Sequence, residues 1–214
     1  MKALIACEYS GALRSRLRKM GIDAFSCDIL PAEDNSPHHI KGDALNALER
    51  EPWDLVVAFP PCTFLTVSGN RWFYHPEDKG KPIPQRRPHP NHPNRRADQT
   101  KAAAFFMSFV NCGAPLVAVE NPIGVMSTIY RKPDQIIQPW QFGHGETKAT
   151  CLWLSGLPRL VPTSIVRERE GRIWKMPPGP DRQKERSRTF AGVADAMADQ
   201  WGAILKKRGE KWKR

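Results

Sequence analysis

Short apolar runs alternate with amphipathic stretches through the first 120 residues. Ala3–Cys7, Ala24–Cys27, Asp54–Phe59 and Leu116–Val119 are apolar segments bounded by charged or turn-forming residues. Contiguous apolar runs of this length read as strands buried on both faces. Between them, Gly11–Met20 carries Leu13 and Leu17 at helical spacing. Arg14, Arg16, Arg18 and Lys19 fall on the opposite, solvent face, and Gly21 stands as a C-terminal cap. Ala44–Arg50, after Gly42-Asp43, predicts a short helix, and Ala97–Asn111 a longer one. This alternation predicts an α/β fold with a mostly parallel sheet and flanking helices. Further on, Thr150–Leu154 predicts a strand and Val193–Leu205 an amphipathic helix, followed by a basic tail, Lys206–Arg214. Arg159–Arg188 mixes charge with proline and predicts a hairpin or small lobe.

One stretch breaks the pattern. Residues 71–96 hold Pro76, Pro82, Pro84, Pro88, Pro90 and Pro93 among seven Arg and Lys residues. Proline at this density denies regular structure, and the charge denies burial. Arg71, Arg86 and Arg87 near Trp72, Phe73 and Tyr74 offer phosphate contacts and stacking faces to a nucleic acid. A solvated, disordered insertion is the other reading.

Composition narrows the class. Hydrophobic residues make up 40% and charged residues 26% of 214 residues, which suits a globular domain. Glu8 interrupts the first apolar run too early for a signal peptide, and no run is long enough to span a membrane. A cytoplasmic protein, monomeric or weakly oligomeric, is expected. The net charge of +11 suggests a polyanionic partner. The five cysteines include no Cys-x-x-Cys pair, so no metal site is expected. Four of them lie in apolar, core-like segments; Cys62 does not.

Cys62 follows the Asp54–Phe59 run through Pro60-Pro61. Strand ends of parallel sheets are where ligands bind. A thiol held there by two prolines, beside a basic loop, is expected to have a depressed pKa and to act as a nucleophile. A packed cysteine in a rigid turn is the alternative for Pro-Cys taken alone.

The segment Phe59-Pro-Pro-Cys-Thr-Phe-Leu-Thr-Val-Ser-Gly69 resembles the catalytic motif of the cytosine-5 DNA methyltransferases. Thr66 and Ser68-Gly69 match the family's serines and glycine, while Thr63 replaces a glutamine. Other motifs follow in the family's order. Ala6-Cys-Glu-Tyr-Ser-Gly11 stands where the family has its glycine-rich cofactor loop, with Glu8 at the first glycine. Asp28 ends the second strand, Gly42-Asp43 follows, and Glu120-Asn121-Pro122 resembles Glu-Asn-Val. Glu146, Lys148 and Thr150 fall on a Gln-x-Arg-x-Arg motif, so one cation survives. Gly192–Ala198 loosely resembles the closing motif.

The resemblance implies a Rossmann-like S-adenosylmethionine-dependent methyltransferase fold. It implies Cys62 as covalent nucleophile, Glu120 as the acid at ring N3, and Lys148 as a contact to the base and catalytic loop. S-adenosylmethionine would lie against Glu8, Tyr9, Ser10, Gly11, Asp28, Asp43 and Pro60. DNA with a flipped cytosine would meet Pro61, Thr66, Ser68, Arg71, Arg86, Arg87, Asn121 and Thr150. The expected organisation is a catalytic core over 1–158 with its basic loop at 70–97, a reduced target-recognition segment at 159–187, and 188–214 returning to the core. A compact orphan or phage-type enzyme fits so short a segment better than a restriction-system methylase. Two rivals remain open: a related enzyme acting on a nucleotide or RNA, or transferring another group, and a non-catalytic nucleic-acid-binding protein on the same scaffold. A dinucleotide-dependent oxidoreductase is disfavoured by the absence of Gly-x-Gly-x-x-Gly after the first strand.

Overall fold

The computed structural model describes residues 1–177, 179 and 182–211. Among these residues, seven strands form one sheet. They are β1 (Lys2–Ala6), β2 (Asp23–Asp28), β3 (His39–Lys41), β4 (Leu55–Ala58), β5 (Leu116–Pro122), β6 (Gln135–Ile137) and β7 (Thr150–Ser155). The spatial order is β3-β2-β1-β4-β5-β7-β6. β1, β2, β3, β4 and β5 pair in parallel, and β7 runs antiparallel between β5 and β6. The helices are α1 (Ala12–Lys19), α2 (Ala44–Glu49), α3 (Arg95–Val110), α4 (Met126–Ile129), α5 (Arg172–Lys175), α6 (Arg182–Ser187) and α7 (Ala191–Lys211). This is a doubly wound α/β sheet, as the alternation predicts.

The central strands are buried on both faces, which explains their unbroken apolar runs: β4 is Leu55-Val-Val-Ala58, all buried. One face packs Leu13, Leu17, Val193, Met197, Trp201 and Leu205, from α1 and α7. The other packs Ala44, Ala47, Ala103, Phe106 and Phe109, from α2 and α3. Trp201 anchors α7 through its indole N–H, which donates to the Pro158 carbonyl at 3.0 Å. Among the described residues, no helix is long and apolar enough to cross a membrane.

Three sequence expectations change. β3 and β6, of three residues each, escape the hydrophobic pattern because they are edge strands with few buried positions. Among the described residues of 159–188 the chain holds two short helices, rather than a hairpin, and is bridged to the loop before β7 at Phe142–Ser164 and Glu146–Glu170. Arg14, assigned to the solvent face, is 1% exposed. Its guanidinium donates to Ser26 Oγ at 2.8 Å and pairs with Asp34, so a partner across the fold overrides the helical pattern. The end of the basic tail, 212–214, lies outside the described residues.

Candidate active site

The strand order reverses between β1 and β4, and their carboxyl ends open the crevice where such sheets bind ligands. The β1–α1 loop and the Pro60-Pro61-Cys62 turn meet that crevice from either side.

Cys62 is held by backbone geometry. Its carbonyl accepts from the N–H groups of Leu65 and Thr66, each at 3.0 Å. Asn121 Nδ2, buried at the end of β5, donates to the Pro60 carbonyl at 2.8 Å. The Pro-Pro turn cannot supply its own N–H groups, so this side-chain clamp fixes it to the neighbouring strand. A second tie joins the segments that follow β4 and β5: Val67 N–H donates to the Ile123 carbonyl at 3.2 Å. Thr66 Oγ1 lies 3.4 Å from Ser68 Oγ and from the same Ile123 carbonyl. Gly69 leaves room for the Arg95 guanidinium, which a Cβ there would displace.

Glu120 stands one residue past the Ala58–Val119 pair that ends the β4–β5 ladder. Burial raises its carboxyl above the ordinary value, and Lys148 and a hydrogen bond from Thr150 only partly oppose this. Cys62 answers in the same direction. Burial, then the Glu120 charge, raise its thiol, while Lys148 and Arg186 pull it down. The expected depressed thiol is therefore not found: half-burial and a neighbouring carboxylate outweigh the two cations.

Lys148 is fixed from outside the sheet. Its Nζ donates to the Arg186 carbonyl at 2.8 Å, and its charge lies 6.0 Å from the Phe190 ring centre. Glu146 does not face Cys62 but pairs with Arg172, tying the loop before β7 to α5. Residues 186–190 thus form a strap over the strand ends. A cavity of about 30 Å³ remains beneath it, lined by Phe59, Glu120, Lys148, Thr150, Arg188 and Phe190. That suits a water molecule rather than a pyrimidine ring. The strap was missed in the sequence because its residues carry no motif and reach the site only through the chain's return.

On the other side of the crevice, Glu8 is 4% exposed. Its Oε1 accepts from Ser10 Oγ at 2.8 Å and from Leu13 N–H at 3.3 Å, so it supports the start of α1 from within. Burial raises its carboxyl. Glu8 and the buried Tyr9 therefore frame the loop more than they line it. Gly11 has φ +70°, and a Cβ there would lie 2.1 Å from Arg14 Nη2, so the buried arginine demands the glycine. Asp28 accepts from Leu30 N–H at 2.9 Å and Asp43 from Leu45 N–H at 2.8 Å, each through Oδ1. Asp28 ends β2 and Asp43 caps α2 beyond β3; burial raises the Cys7 thiol, and both carboxylates add to the rise. Arg188 bridges the two halves, pairing with Glu33 and bonding Tyr9.

Residues 71–96 differ from the expected irregular, solvated loop. Asp78 is fully buried and receives Lys81 Nζ at 2.7 Å, Arg87 N–H at 2.8 Å and the Arg87 guanidinium at 3.0 Å. Trp72 packs edge-on to His89 and His92, with ring centres 5.1 and 5.2 Å away. Local ion pairing buys the order that apolar burial does not supply. Arg87 is thereby committed to Asp78 and Glu77. Arg71 stacks on Trp72 at 4.8 Å, and Arg86 and Arg96 on Tyr74 at 5.4 and 5.3 Å. A roomier groove of about 550 Å³ beside β6, lined by Ile123, Lys132, Ile136 and Arg159 among others, holds none of the predicted residues.

No protein-family model matches the chain, and no curated protein sequence matches it. Among solved structures, it is similar to a protein described as a DNA modification methyltransferase encoded within a prophage (E. coli). The TM-score is 0.46 at 12% identity, over 78% of this chain and 52% of that one. A Spodoptera frugiperda DNMT2 variant gives a TM-score of 0.42 at 13% identity, over 79% and 56%. The chain spans about half the length of either. At these values the fold rests on the strand order itself, and the chemistry on the side chains.

Proposed function

We propose that this chain is an S-adenosylmethionine-dependent methyltransferase that modifies C5 of cytosine in DNA through a covalent Cys62 adduct. The observation that carries this reading is the convergence of a thiol and a carboxyl on adjacent strand ends, with Lys148 beside both. Either group alone has many explanations. A nucleophile paired with an acid kept protonated by burial is what addition across a pyrimidine C5–C6 bond needs.

The crevice residues fit the donor. Asp28 and Asp43 commit only Oδ1 among the described residues, leaving each a second oxygen for hydroxyl or amino groups of a nucleoside. Ser10 and Gly11 border the same opening. When bound, S-adenosylmethionine supplies an electrophilic methyl group. Glu8 and Tyr9 shape the loop that receives it, and Pro60 closes the crevice from the β4 side.

On the protein side, the Cys62 thiolate forms a bond to ring C6 as Glu120 gives its proton to N3. C5 thereby becomes a carbon nucleophile, to which bound S-adenosylmethionine would supply the methyl group. Loss of the C5 proton to solvent then restores the C5–C6 bond, expels the thiolate and returns the N3 proton to Glu120. Lys148 steadies both charged states, and Thr150 orients Glu120. Pro61, Thr66, Ser68 and Asn121 shape the wall beside the base. The 30 Å³ cavity means that the strap at 186–190 moves aside when a flipped base enters. Arg71, Arg86 and Arg96 hold the nucleic acid backbone, with 159–187 standing in for a target-recognition region between the 1–158 core and the returning 188–214 segment. An orphan or phage-type enzyme in the cytoplasm, working as a monomer or weak oligomer, is the setting proposed for it.

Trapping on DNA containing 5-fluorocytosine, with S-adenosylmethionine present, tests the reading. The expected result is a denaturation-resistant adduct that disappears in Cys62→Ser. Absence of an adduct on DNA, with one on RNA or deoxycytidine monophosphate, would transfer the chemistry to that substrate. No adduct on any pyrimidine would refute the covalent mechanism.

A further inference from the structure

Arg95 opens α3 and is 5% exposed, a buried cation beside the Cys62 turn. Its Nη2 donates at 3.0 Å to the carbonyl of Thr63, the residue after Cys62. One helical turn on, Gln99 Nε2 donates to the Phe64 carbonyl at 3.0 Å. The start of α3 therefore grips the two carbonyls that follow the thiol, while Leu65 and Thr66 N–H hold the carbonyl of Cys62 itself. Stability alone does not call for an arginine here. Its Nε–H is buried and has no hydrogen-bond partner among the described residues. Burying a guanidinium with an unpaired donor is costly, and an apolar side chain of similar volume would pack there without that cost.

The guanidinium instead joins two parts of the molecule. It lies 5.2 Å from the ring centre of Phe64, in the turn, and 5.2 Å from that of Phe73, in the appendage. Arg96 then stacks on Phe73 at 5.6 Å and on Tyr74 at 5.3 Å, and Arg86 on Tyr74 at 5.4 Å. Rings and guanidinium groups alternate without a break through Phe64, Arg95, Phe73, Arg96, Tyr74 and Arg86. The series begins in the turn that carries the thiol and ends on cations that reach solvent, Arg96 exposed and Arg86 half-buried. Cation–ring contacts strengthen as water is withdrawn, so the inner end at Arg95 is the firm one.

We propose that Arg95 is a positioning residue, which sets the Cys62 turn according to whether nucleic acid occupies the appendage. A phosphate drawn to Arg96 or Arg86 shifts their hold on Tyr74 and Phe73. Phe73 bears on Arg95, and Arg95 on the Thr63 carbonyl. This rests on reading Cys62 as the nucleophile and the appendage as a nucleic-acid surface.

The test is amide hydrogen exchange of the full chain, read by mass in peptides covering 62–69 and 71–96, with and without a duplex of alternating dA and dT. That duplex offers phosphates but no cytosine to enter the site. In the parent it should slow exchange in both peptides, that of 62–69 by about 5-fold or more. In Arg95→Met the slowing of 62–69 should vanish while that of 71–96 persists. The same variant should unfold at or above the parent's urea midpoint, since it removes the unpaired donor and keeps the packing. Phe73→Leu breaks the series one link further out and should give the same loss; it carries the test if Arg95→Met unfolds more readily. Slowing of 62–69 that survives in either variant means that the duplex covers the turn directly, and overturns the proposal. So does a parent in which the duplex protects 71–96 but not 62–69. No response in 71–96 would sink the nucleic-acid surface and the coupling with it. Exchange needs no thiol chemistry. A coupled response without any pyrimidine adduct would therefore refute the covalent mechanism and leave Arg95 in its link to the appendage, and an adduct without coupling would do the reverse.

Discussion

Cys62 and Glu120 constrain one another. The carboxylate raises the thiol, and burial raises the carboxyl. A carboxyl raised in the folded protein stays protonated to higher pH and loses its proton as pH climbs through its shifted value. Thiolate formation demands the opposite change. Turnover should therefore pass through a maximum, rising as Cys62 ionises and falling as Glu120 does. Glu120→Gln separates the two. The Cys62 alkylation inflection should fall, since a charge that raises it has gone. Turnover should nonetheless drop by about 10²- to 10⁴-fold, since the acid has gone too. A raised inflection, or undiminished turnover, would contradict this pairing. At this scale the sequence identified residues whose setting is local. Pro60-Pro61 and the β5 end mark Cys62 and Glu120 without reference to distant parts of the chain. Arg14, Glu8 and Arg186 were opaque because what defines them lies elsewhere: Ser26 and Asp34, the interior of α1's first turn, and Lys148.

The elements differ in how they are held together. The 71–96 appendage is organised around the Asp78 carboxylate, which Arg87 and Lys81 hold far below the ordinary range. A carboxylate with a depressed pKa stabilises the fold above its unfolded value, and that contribution is lost as pH falls toward the folded value. Asp78→Asn should therefore open the appendage at neutral pH. Trypsin should then cut within 71–96 while the sheet keeps its circular dichroism, and resistance equal to the parent would disprove the hub. α7 is held instead by apolar burial. Trp201 is 1% exposed, and Trp201→Ala should cost about 3–5 kcal/mol in urea unfolding. A loss below about 1 kcal/mol would mean that α7 contributes little to the fold. Proline and charge in 71–96 signalled a break in the regular pattern, and the stretch holds only short 3₁₀ turns before α3 begins at Arg95. They could not signal order, because Asp78 and Arg87 meet only after the chain turns through two 3₁₀ segments.

Across the whole molecule, the charge of +11 is unevenly spent. Arg14, Arg87, Arg131 and Arg172 are tied to carboxylates, whereas Arg71, Arg86 and Arg96 stack on aromatic faces of the appendage. Binding to duplex DNA should weaken steeply with salt, and Arg96→Gln should reduce the slope of log affinity against log salt by about 1. Arg87→Gln should act chiefly on the appendage's protease resistance. Salt-independent binding, or an unchanged slope in Arg96→Gln, would remove the appendage from the nucleic-acid surface.

The sequence by itself determined the α/β class, the central strands and the strand-end positions of Cys62 and Glu120. Apolar runs and turn residues act over a few positions, and a sheet buried on both faces leaves its pattern in each strand separately. Only the tertiary structure decided the antiparallel place of β7, the burial of Arg14, the order of the 71–96 appendage and the hydrogen bond from Lys148 to the Arg186 carbonyl. Each of these depends on a partner far along the chain, and long-range electrostatic and packing energies leave no local pattern from which they can be read.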